Sequence, residues 1–103
     1  MKKQANVSIK DMEENCENVA NIMKALAHPQ RLMLLCHLSS GEKTVGELEA
    51  ICTVSQSAVS QFLNRMKLEG LVQSEKRGLH VYYSIANPKV GKLISALHDI
   101  FCK

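Results

Sequence analysis

The chain has 103 residues, 46% of them apolar, and carries a formal net charge of +3. That length suits one domain, and a domain so small buries only about two-thirds of its unfolded surface, so pairing with a second copy is an expected source of stability. MKKQANVS has two lysines but no apolar stretch behind them, and the longest apolar run, residues 32–36, is far short of the roughly 20 residues of a membrane span, so neither secretion nor membrane insertion is expected.

Residues 1–7 read as a loose tail on a single domain spanning 1–103. Over residues 8–27, Met12, Cys16, Val19, Met23 and Leu26 recur at steps of four and three, the stripe of an amphipathic helix. His28-Pro29 ends that helix and opens another, because proline fits a first helical turn but not a helix interior. The second helix, residues 29–39, is apolar on nearly every side (Leu32, Met33, Leu34, Leu35, Cys36, Leu38), which predicts a central buried helix ended by Gly41. Thr44-Val45-Gly46-Glu47 is a capping box, and the short helix it opens should turn Val45, Leu48, Ile51 and Cys52 inward. After a turn at Thr53-Val54, Ser55 caps a helix that runs to Glu69 and stops at Gly70. Two short helices joined in this way form a helix-turn-helix. Residues 71–76 and 80–85, with Arg77-Gly78-Leu79 between them, read as a β-hairpin, or wing. Asn87-Pro88 starts a last helix with a stripe of Val90, Leu93, Ile94, Leu97 and Phe101. The expected fold is mainly α with a small β-hairpin, in the order ααααββα: a winged helix-turn-helix with an extra helix at each end.

Charge is unevenly placed: residues 1–28 sum to zero and 29–55 to −1, whereas 56–85 and 86–103 each carry +2. On the helix from Ser55, Val59, Phe62, Leu63 and Met66 cluster on one side and should face the core. Opposite them lie Ser57, Gln61 and Asn64, flanked by Ser60 and Arg65, with no carboxylate from Ser55 through Asn64. Short polar and amide groups can approach base edges closely, and Gln or Asn can pair bidentately with adenine. Ser55, Gln56, Ser57, Ser60, Gln61, Asn64 and Arg65 are therefore candidate contacts to double-stranded DNA. Lys76, Arg77 and His80 of the hairpin would meet phosphates, giving affinity without sequence information.

The sequence resembles the ArsR/SmtB family of winged-helix repressors over almost its whole length. The resemblance is carried by Lys24-Ala25-Leu26-Ala27-His28-Pro29-Gln30-Arg31-Leu32, Val45-Gly46-Glu47-Leu48, Ser55-Gln56-Ser57-Ala58-Val59-Ser60-Gln61 and Tyr82-Tyr83-Ser84-Ile85. It implies a homodimer held by the first and last helices, presenting two reading helices to a pseudo-palindromic operator. Thr53 stands where many relatives have a turn glycine, and Phe62 where they often have histidine.

The four cysteines would rest reduced in the expected cytoplasmic setting. Metal-sensing relatives carry paired cysteines before the turn; here only Cys52 is present, and it reads as a small core residue. Cys16 belongs to the first helix stripe. His98 and Cys102 share a helix face, but two ligands do not complete a tetrahedral site without help from another subunit, so no metal or other cofactor is assigned; a metal-ion-responsive repressor using Cys and His ligands stays open as the alternative. Cys36 and Cys102 are placed as in the branch of the family that responds to persulfides and related reactive sulfur species. That resemblance implies a disulfide or polysulfide bridge between them on oxidation, and His37 and Lys103 beside the two sulfurs would favour thiolate. Two cysteines that merely fill core stripes are the alternative. No Ser/His/Asp arrangement, phosphate-cradling loop or paired-carboxylate pocket suggests an enzyme.

Overall fold

A computed structural model describes residues 8–52 and 55–102 of the chain. The expected tail at 1–7, the turn at Thr53-Val54 and Lys103 lie outside the described residues. The elements are α1 (Ile9–Leu26), α2 (Pro29–Leu38), β1 (Lys43–Thr44), α3 (Val45–Ile51), α4 (Gln56–Leu68), β2 (Val72–Arg77), β3 (His80–Ile85) and α5 (Pro88–Phe101). The helix order and the hairpin are as read from the sequence, with one addition. Lys43 and Thr44 form a short strand on the outer side of the hairpin, giving a three-stranded antiparallel sheet in the order β1-β3-β2, with Lys43 opposite Tyr83 and Thr44 opposite Tyr82.

Local chemistry accounts for the boundaries. The Ser8 hydroxyl accepts from the Asp11 amide and starts α1. His28 Nδ1 accepts from the Gln30 amide at 3.2 Å, so the residue before Pro29 caps α2 with its ring. The capping box at α3 is complete: the Glu47 amide donates to Thr44 Oγ1 and the Thr44 amide to Glu47 Oε1, at 3.1 and 2.8 Å. The bond from the Thr44 amide to the charged form holds the Glu47 carboxyl below the usual carboxylate range. Gly70, at φ +79°, turns the chain out of α4 while the Leu71 amide bonds back to the Met66 carbonyl. Gly78, at φ +64°, takes the first position of the two-residue loop between Arg77 and His80, the place that a type II′ hairpin turn reserves for glycine.

The core gathers Leu26, Leu34, Leu35, Leu38, Leu48, Val59, Leu63, Met66, Leu71, Val72, Tyr83, Val90 and Ile94, so every helix and the hairpin contribute. Each fully buried leucine contributes roughly 1.5–3 kcal/mol relative to exposure. The expectation of an all-round buried α2 is corrected. Leu34, Leu35 and Leu38 face the core, but Met33 is 51% exposed and Cys36 is also exposed. The helix is one-sided, and Met33 and Cys36 lie on its exposed side. In α3, Leu48 is buried and Val45 and Cys52 pack against the core as expected, whereas Ile51 is 46% exposed and does not turn inward. Of the large apolar side chains left exposed, Ile9, Met12, Met23, Ile100 and Phe101 lie on α1 and α5.

Candidate nucleic-acid interface and thiol pair

Val59, Leu63 and Met66 are fully buried and fix one side of α4 to the core. Phe62 is partly buried and meets the His28 ring edge-on at 4.9 Å between centroids, a contact that ties α4 to the start of α2. On the other side Ser57, Gln61 and Asn64 are exposed and Ser60 half-exposed, forming one short polar surface. Ser55 is chiefly a cap: its hydroxyl accepts from the Ala58 amide at 3.3 Å and lies 3.4 Å from Ser57 Oγ. Gln56 is the first residue of α4; its side chain lies outside the described residues. Arg65 is exposed, but its Nε donates to Glu69 Oε2 at 3.2 Å.

The hairpin tip presents Lys76 and His80 to solvent. Arg77 is held more tightly than an isolated phosphate-seeking side chain. Its Nη2 lies 2.6 Å from Glu42 Oε1, its Nε 3.7 Å from Glu75 Oε1, and its guanidinium carbon 3.9 Å from the centre of the Tyr82 ring. The hydrogen bond that Arg77 donates to Glu42 raises its pKa further, so the group stays charged throughout the accessible pH range. Sequence reasoning missed the pairing of Arg77 with Glu42 and that of Arg31 with Glu69, because each joins residues distant in the chain.

The structure brings Cys36 of α2 and Cys102, the C-cap of α5, close enough for their thiolates to repel each other. Both residues are exposed. Partial burial of the sulfur pushes the Cys36 thiol up, and Cys102 pushes it further. This corrects the expectation that His37 would favour a Cys36 thiolate: desolvation and a like charge act the other way. Cys36 also lines an open groove of about 630 Å³ between α2 and α5, with Ser39, Pro88, Gly91, Lys92, Ile94, Ser95 and His98. Burial raises the Cys52 thiol as well, in keeping with its core position, while Cys16 is exposed on α1. Among the described residues, no three of His, Cys, Asp and Glu gather as a metal-binding group within one chain, and no helix is long and apolar enough to cross a membrane.

A helix whose exposed face carries hydroxyl and amide groups, set beside a basic hairpin on a winged helix-turn-helix, defines a DNA-binding transcriptional regulator rather than an enzyme. Residues 28–74 match the family described as bacterial regulatory protein, arsR family. The chain is 40% identical over 92 residues to the biofilm growth-associated repressor of Xylella fastidiosa, covering 89% of this chain and 81% of that one. Its fold superimposes on the transcriptional repressor BigR from Xylella fastidiosa with a TM-score of 0.88 at 38% identity, covering 94% and 99% of the two chains. The reduced form of HlyU from Vibrio cholerae matches with a TM-score of 0.84 at 36% identity, over 92% and 100%. The chain belongs to the ArsR family of bacterial transcriptional regulators.

Proposed function

We propose that this chain is a homodimeric, cytoplasmic repressor that binds a pseudo-palindromic operator and releases it when Cys36 and Cys102 are bridged, with reactive sulfur species as the effector. Ser57, Ser60, Gln61 and Asn64 of α4 contact bases, Gln56 at its start joins them, and Ser55 caps the helix. Lys76 and His80 contact phosphates, with Arg77 bracing the wing between Glu42 and Tyr82. The carrying observation for the switch is the placement of two exposed thiols on α2 and at the end of α5, with Cys102 near enough to Cys36 to raise its thiol. It is supported by the HlyU relative having been solved specifically in a reduced form.

The chemistry needs a two-electron oxidant. A persulfide RSSH supplies it: Cys36 takes the outer sulfur and releases RSH, then the Cys102 thiolate attacks Cys36 Sγ, forming the disulfide and releasing H₂S. Bridging requires the two α-carbons to lie within about 7 Å, or somewhat further when extra sulfur atoms are inserted. Because α2 is packed in the core and α5 carries an exposed apolar face, a bridge couples the core to the dimer seam and alters the spacing of the reading helices.

The test treats the full chain and Cys36→Ser with polysulfide and follows peptide masses and duplex binding. Wild type should gain a Cys36–Cys102 link and lose its duplex, and Cys36→Ser should do neither. Fully bridged wild type that holds DNA as tightly as the reduced protein overturns the switch.

A further inference from the structure

Glu69 is the only carboxylate from Ser55 to Gly70, and it stands where a helix least favours one. It is the C-cap of α4, at the negative end of the helix dipole, where cations are stabilised and anions are not. Two guanidinium groups hold it there. Arg31 Nη2 lies 2.5 Å from Glu69 Oε1, and Arg65 Nε lies 3.2 Å from Oε2.

The two arginines differ in situation. Arg65 comes from one turn back on α4 and its side chain is 70% exposed, whereas Arg31 comes from the first turn of α2 and its side chain is 14% exposed. The Arg31 Nε is buried, with no hydrogen-bond acceptor among the described residues. A guanidinium so enclosed depends on its ionic partner, because a buried charge that loses its partner is strongly destabilised. The triad opens on a cleft of about 620 Å³ that Lys24 and Asn18 of α1 also line, and Ser57, Gln61 and Asn64 are not among the lining residues. Glu69 is therefore turned toward α1 and α2, away from the polar face of α4.

We propose that Glu69 is a positioning residue: anchored on Arg31, it sets the angle at which α4 presents its polar face to DNA, and Arg65 belongs to this clamp rather than to the phosphate contacts. The proposal rests on the reading of α4 as the helix that contacts bases. It gives an isolated carboxylate beside a DNA-binding surface a use, since an acid there would otherwise only repel phosphate.

The test uses the reduced full chain and a duplex that it selects from a random-sequence pool. Glu69→Gln keeps the size and removes the charge. It should weaken binding about tenfold through a loosened supporting shell, while the slope of log affinity against log salt stays at the wild-type value because no phosphate contact is lost. Arg31→Lys should retain more affinity than Arg31→Met. Arg65→Gln, an exposed change that leaves folding intact, should also leave the slope unaltered. Tighter or unchanged binding by Glu69→Gln overturns the proposal, as does a slope reduced by about 1 in Arg65→Gln, the signature of a lost phosphate contact. Where Glu69→Gln fails to melt cooperatively, the Arg65→Gln slope decides. Wild type without affinity for any duplex at low salt overturns the DNA reading itself, which is a separate failure.

Discussion

Burial and the adjacent Cys102 raise the Cys36 thiol above its ordinary range, so less of it is thiolate at neutral pH than an isolated exposed cysteine would provide. Thiolate is the reacting form, so alkylation of Cys36 by iodoacetamide should be slow at pH 7 and climb through a midpoint above the ordinary value of about 8.5. Replacing Cys102 with Ser removes the second cause and should move that midpoint down part of the way, leaving the larger effect of burial. A midpoint unmoved by Cys102→Ser would show that the two sulfurs are not in electrostatic contact. The placement of these residues on separate helices was legible from the chain. The direction of the Cys36 shift was not, because it depends on desolvation and on a partner 66 positions away (102 less 36); the adjacent His37 was visible and misleading. Arg31 and Glu69 show the same limit: their ion pair spans 38 positions, beyond the reach of any local pattern.

At the scale of elements, periodicity and capping residues carried most of the fold. Thr44, Ser55 and Asn87 each cap the helix expected of them. Loss of the Thr44 hydroxyl should be measurable: Thr44→Ala should cost about 0.5–2 kcal/mol in urea unfolding, the usual range for a lost cap. Glu47 adds a pH dependence. Its folded pKa is lowered, so its contribution is present above the ordinary carboxylate value of about 4.3 and disappears as pH falls through the lowered value. The Thr44→Ala penalty should therefore be smaller at pH 3 than at pH 7, and a penalty equal at both would show that the box does not act as a unit. Two elements escaped sequence reasoning for physical reasons. Strand β1 is two residues long and exists through its pairing with β3, a tertiary interaction. The outer face of α2 reads as core because Met33 and Cys36 are apolar, yet Met33 stays 51% exposed and Cys36 only borders an open groove beside α5. Hydropathy reports a preference for burial, not the presence of a partner.

For the whole molecule, the first half of α1 is exposed throughout, from Ile9 to Asn18. A helix of that size is marginal in water without packing. With Met12 and Met23 on α1 and Ile100 and Phe101 on α5 also uncovered, the chain lacks a surface that a second copy would supply. The proposed dimer would present two α4 helices, and a dimer of reading helices meets half-sites about one turn of DNA apart, some 34–36 Å. The most direct measurement is sedimentation of the reduced full chain with a duplex selected from a random pool, repeated across a salt series. It should give two chains per duplex, a recovered sequence with two inverted half-sites, and an affinity that falls linearly in log–log form with salt. One chain per duplex, a site without symmetry, or no binding even at low salt would contradict the dimeric DNA-reading protein proposed from α4, the wing and the exposed faces of α1 and α5.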